Sequence, residues 1–127
     1  MVANALMKKN PILLVATIAL GHFLATYVGS IYVAHFRLYG GFFSLPLETN
    51  KYLHGVAGSY LFFLFLLFTA FGEGKKYKWI WIASIPGILL VLVDFSHIYF
   101  HLLFPLIGWL IGWGIGKLIS SRNKSTV

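Results

Sequence analysis

Apolar residues fill three long stretches of the chain, and polar residues gather at the joints between them. The first stretch runs from about Pro11 to Phe36 and the second from Tyr52 to Phe71. The third, about forty residues long, runs from Tyr77 to Ile119. A helix that crosses a membrane needs about 20 predominantly apolar residues. The first two stretches therefore predict one span each, and the third predicts two spans with a tight turn. The expected helices are 11–36, 52–71, 77–94 and 96–119. Lys8 and Lys9 precede the first helix as they would in a secretory signal, but the apolar stretch is too long for a signal core, so an uncleaved helix is expected. Pro11 suits a first helical turn, where its missing N–H is harmless. Thr49 and Asn50 are candidate caps for the second helix.

Two placements of the last turn fit the pattern. Asp94 or Ser96 caps the fourth helix, with Pro105 as a kink inside it, or the third helix continues to about His101 and Pro105 opens a short fourth one. The first placement yields two helices of spanning length and is preferred.

Composition strengthens the membrane reading. The 127 residues are 59% hydrophobic and 10% charged, against about 25% charged in a soluble domain. The expectation is a single all-α membrane domain over residues 1–127, a four-transmembrane-helix bundle. The net charge of +7 flanks apolar spans rather than forming a patch interleaved with aromatics, which argues for a lipid bilayer and against nucleic acid as the partner. The chain has no cysteine, which excludes disulfides, thiolate metal sites, iron–sulfur clusters and cysteine nucleophiles.

Charge also orients the chain. Lys8, Lys9, Lys75, Lys76, Lys78, Lys117, Arg122 and Lys124 fall on one side of the threaded bundle, and only Arg37 and Lys51 on the other. The positive-inside rule then makes both termini cytoplasmic, in a multi-pass protein of the cell (inner) membrane. The connection from Arg37 to Lys51 is rich in Phe, Tyr and Leu, and is expected as an interfacial cover between helices 1 and 2 with a turn at Gly40-Gly41. Tyr77, Trp79 and Trp81 read as an inner aromatic belt. Residues 120–127 read as a short mobile tail.

Small residues recur at four-residue spacing: Gly21, Ala25 and Gly29 in helix 1, Ala83 and Gly87 in helix 3, and Gly108, Gly112 and Gly116 in helix 4. Such rows let helices approach closely in lipid. They serve packing within one bundle, or, along helix 4 beside Trp109 and Trp113, a seam for a homo-oligomer or a larger membrane complex.

The side opposite the lysines collects four of the five histidines and two of the three acids. Asp94, His97 and His101 form an Asp-x2-His-x3-His pattern whose members would share one helix face, and His54 begins the second helix. Imidazole and carboxylate suit a divalent transition metal such as Zn or Fe. His54, Asp94, His97 and His101 are therefore the candidate ligands of a metal or polar-substrate site, with His35 and Glu48 in support. The same residues could equally cap helices and hydrogen-bond headgroups without further function. His22 stands apart, about ten residues into helix 1. It is a candidate buried polar residue with Thr26, Ser59 or Ser84 as partner, or a haem ligand opposite His101. A serine triad is disfavoured, because Ser59 lies about 140° around the helix from His54. Catalytic residues and enzymatic activity cannot be assigned from these patterns. A non-catalytic accessory or assembly subunit and a small oligomeric cation or proton transporter stand as alternatives to the metal- or substrate-binding reading.

Overall fold

The computed structural model describes residues 9–36, 47–93 and 98–125. All are helical apart from a short turn: α1 (Lys9–Phe36), α2 (Leu47–Phe71), α3 (Lys76–Val93) and α4 (Ile98–Ser125). Three of these helices contain segments long and apolar enough to cross a membrane: Lys9–Ala34, Lys51–Phe71 and Ile98–Arg122. The apolar segment of α3 is shorter.

The helix boundaries differ from the expected ones in instructive ways. α2 begins at Leu47, so Thr49 and Asn50 lie inside its first turn instead of capping it, and the last five residues of the expected cover are helix. The rest of that cover, Arg37 to Pro46, lies outside the described residues, as do Asp94, Phe95, Ser96 and His97 of the last turn. Pro105 lies within α4, in agreement with the preferred placement. α4 continues through Ser120 and Ser121 to Ser125, where a mobile tail was expected over 120–127. The apolar run ends near Ile119, but the backbone hydrogen-bond ladder continues on polar residues.

α2 is the hub. It packs against α1, α4 and α3, whereas α3 barely meets α1 or α4. The inward face of α1 is mostly small or polar, and its large apolar side chains point outward, whereas α2 and α3 also bury Leu61, Leu64, Phe68, Ile80 and Val91. On α1 the buried residues include Asn10, Thr17, Gly21, Ala25, Gly29 and Tyr32, while Ile12, Val15, Phe23 and Tyr27 are exposed. In water that arrangement would be inside out. In a bilayer it is expected, because lipid is as apolar as leucine and close backbone packing holds the helices together.

The α1–α2 interface shows this packing directly. A β-carbon on Gly29 would collide with the Lys51 carbonyl, and one on Gly55 with the Ala25 carbonyl. The Ser59 hydroxyl lies 2.6 Å from the Gly55 carbonyl of its own helix and 2.7 Å from the Gly21 carbonyl across the interface. Its single proton is shared between the two. On the other flank, Gly108 of α4 faces the Phe62 carbonyl of α2, and Gly112 faces Leu66. These pairs advance together in sequence, so α2 and α4 run parallel, whereas α1 and α3 run antiparallel to α2. α3 closes the bundle through Leu61 and Val91 toward one end and Phe68 and Ile80 toward the other. Near its Pro86, which supplies no N–H to the helix, the Tyr60 hydroxyl donates to the Ala83 carbonyl at 2.6 Å.

The up–down course leaves Lys9, the α2–α3 turn and the last turns of α4 at one end of the bundle. Asn10 ties that end together. Its amide nitrogen donates to the Glu73 carbonyl at 2.9 Å and its amide oxygen accepts from the Glu73 backbone N–H at 3.1 Å. Lys9 forms an ion pair with the Glu73 carboxylate at 3.2 Å. The turn passes through Gly74, whose φ of +56° is a conformation that glycine adopts at least cost.

Candidate functional site

His54 sits two turns into α2, and His101 one turn into α4. The parallel register of these two helices, set by the glycines of α4, brings the rings together. Nδ1 of His54 lies 3.4 Å from Nε2 of His101. The ring centroids are 5.3 Å apart with planes 18° from parallel. A centroid separation so much larger than the N···N distance means that the rings meet nitrogen to nitrogen, not face on face. Both side chains are 1% exposed.

Aromatic rings enclose the pair. Tyr32 of α1 is fully buried. Its ring lies nearly parallel to His54 at 4.0 Å and to His101 at 5.2 Å, so one phenol covers both imidazoles. Phe100 packs edge-on against Tyr32 and His101, and Phe104 continues the wall at 5.2 Å from Phe100. Three helices thus contribute to one buried aromatic–imidazole cluster.

The 3.4 Å separation is chemically informative. Hydrogen bonds donated by N–H normally span about 2.7–3.2 Å. Two nitrogens bound at about 2.0–2.1 Å to one tetrahedral ion stand about 3.3–3.4 Å apart. The pair is thus a long hydrogen bond between the rings, at a spacing that two ligands of one tetrahedral ion would also show. A haem bound between the same nitrogens would need an iron about 2 Å from each on opposite sides and room for a porphyrin, and Tyr32 packs across both rings.

Among the described residues, no group of three or more His, Asp or Glu side chains converges. Of the four candidate ligands, the structure brings together His54 and His101. Asp94 and His97 lie outside the described residues, and so do the side chains of His35 and Glu48. His22 is not where a buried polar residue was expected. It is exposed on the flank of α1, and its Nδ1 shares a hydrogen bond with the Tyr52 hydroxyl instead of with Thr26, Ser59 or Ser84. Ser59 is occupied by carbonyls, and Ser84 donates to the Trp81 carbonyl at 2.8 Å. The haem expectation paired His22 with His101, yet His101 faces His54. His22 also borders a cleft of 240 Å³ with Ile18, Tyr60 and Pro86.

The residues of the helix-packing rows all have neighbours inside the chain. Gly21, Ala25 and Gly29 face α2 from α1, and Gly108 and Gly112 face it from α4, with Gly116 nearest to Thr69 and Ala70. The α4 glycines, open to packing within the bundle or to an intermolecular seam, thus lie against α2, while Trp109 and Trp113 remain exposed beside them.

Tyr32 was missed at the level of sequence, although a signal for it exists. It continues the Gly21-Ala25-Gly29 row by a further step of three and so belongs to the same face of α1. Asn10 was missed too, because a lone amide near a helix start carries no pattern of its own.

None of the protein families, curated proteins or solved structures compared with the chain matches it.

Proposed function

We propose that this chain is a four-span membrane protein whose extracytoplasmic half holds a divalent transition metal, or a polar substrate in its place, on His54 and His101. The observation that carries the reading is the 3.4 Å spacing of two imidazole nitrogens from separate helices. Asp94 and His97 are proposed as the remaining ligands, with His35 and Glu48 in support. The surrounding aromatic shell favours this use, since a dry, rigid cage orients ligands and limits water access to a bound ion.

The test is the metal content of the detergent-purified protein, measured by plasma emission after loading with Zn²⁺ or Fe²⁺ and desalting. About one equivalent is expected in the wild type, with loss in His54→Ala and in His101→Ala. Cobalt substitution should give the visible absorption of a tetrahedral centre. Metal content unchanged in both variants, or absent from the loaded wild type, would sink the proposal.

The orientation is proposed from the lysine distribution, with α3 as the fourth span and both termini cytoplasmic. The absence of native cysteine makes this easy to map. Single cysteines at Ser44 and Ser121 should react from opposite sides of the membrane with an impermeant maleimide. Labelling of both from one side would contradict the topology.

A further inference from the structure

The lysine-bearing end holds a second structured feature. A cleft of 350 Å³ is lined by Leu14 of α1, Lys75 of the turn, and Lys78, Trp79, Ile82 and Ala83 of α3. Its mouth is cationic and its wall apolar, and the polarity changes along it in the direction that runs from the end of the bundle into the spans. The wall is held in place, because Trp79 stacks on Phe68 at 6.2 Å and packs, with Leu14 and Ala83, against the buried Leu64–Phe68–Ile80 cluster.

The neighbouring charges are already engaged. Lys9 pairs with Glu73. The Lys76 ammonium reaches the Thr69 carbonyl at 3.4 Å and lies over the Tyr77 ring. Lys117 lies over the Trp113 ring at 4.0 Å. Lys75 and Lys78 are exposed and form no ion pair among the described residues. Among the described residues, the acid of the same turn, Glu73, is already paired with Lys9.

We infer that this cleft binds one anionic phospholipid, with the headgroup phosphate between the ammonium groups of Lys75 and Lys78 and an acyl chain along Trp79, Ile82 and Leu14. Lysine pairs with phosphate as a point charge, and tryptophan is favoured at the depth where headgroup gives way to chain. A soluble anion would use the lysines alone, whereas one amphiphile joins both parts of the lining, its chain on the apolar wall and its charged head at the lysines. The inference rests on the membrane-spanning reading and is independent of the metal site.

The full-length protein in uncharged detergent can be titrated with phosphatidylglycerol or phosphatidylcholine of identical chains, and bound lipid counted by native mass spectrometry. The first phosphatidylglycerol should bind at least about tenfold more tightly, from two lysines near the surface. Lys75→Gln/Lys78→Gln should abolish the preference, and Lys117→Gln/Arg122→Gln should retain it. Excess inorganic phosphate should leave the lipid bound. Displacement by phosphate would identify a site for the free anion and overturn the assignment. Equal losses in the two double variants would reveal diffuse charge attraction and overturn it too, as would a wild type without preference. Metal content measured on the same samples is expected to be unchanged, so the two proposals fail separately.

Discussion

At one end of the bundle, His54 and His101 are 1% exposed beneath Tyr32, whereas at the other the Lys9–Glu73 pair is 43% and 40% exposed. The first is a polar pair that three helices must converge to build. The second is a surface ion pair on a backbone clamp. Polar groups surrounded by protein are costly unless satisfied, so the histidine end depends on helix register to within a fraction of a turn. The charges of the lysine end lie at the surface, where exposure does not depend on a fine adjustment of helix rotation. Position in the sequence is enough to put a lysine at a membrane surface, but not enough to bring two histidines into contact.

The comparison can be broken most severely at the glycine contacts. Gly55→Leu places a side chain where the Ala25 carbonyl stands and must push α1 off α2. A loss of about 3 kcal/mol or more is expected, measured by unfolding in mixed detergent–dodecyl sulfate micelles. Gly114→Ala meets open space and should be neutral or slightly stabilising, since alanine favours a helix by up to about 1 kcal/mol over glycine. Equal effects of the two changes would show that the α1–α2 approach is not what holds the register.

Next comes the histidine pair itself. His54→Ala and His101→Ala each leave a buried ring without the other, at a cost of about 1–3 kcal/mol. In a double-mutant cycle of metal-free protein, the two should be coupled by more than about 0.5 kcal/mol. Strict additivity would mean that the rings are neighbours without acting as a unit.

The smallest effects belong to the lysine end. Asn10→Ala removes both hydrogen bonds to the Glu73 backbone and should cost about 1–2 kcal/mol. Glu73→Gln removes only an exposed ion pair, and its cost should stay below about 1 kcal/mol and shrink further with added salt. A larger and salt-insensitive loss for Glu73→Gln would reverse the assignment of strength between clamp and ion pair.

Much of the fold was legible because spanning length and apolar run are linear properties. The helices are recognisable from 11–36, 52–71, 77–94 and 96–119, and Pro105 falls inside α4. Errors arose at polar margins. Leu47 to Lys51 and Ser120 to Ser125 continue helices without continuing the apolar pattern, so hydropathy could not find them. The candidate site was legible only as a set of residue types on one side. That His54 meets His101, that Tyr32 covers both, and that His22 turns outward to Tyr52 depend on how α1, α2 and α4 rotate against one another.

By itself, then, the sequence determined that helices long and apolar enough to cross a membrane would form, that lysines would gather at one end, and that glycine rows would permit close approach. All three follow from the type and spacing of residues along one helix. Tertiary structure alone decided which helix is central, which partner each glycine row meets, and which histidines touch. Those outcomes depend on rotation and register between helices, which are set by backbone contacts at Gly29, Gly55, Gly108 and Gly112. A contact between helices is fixed by two surfaces at once, and no single stretch of chain carries both.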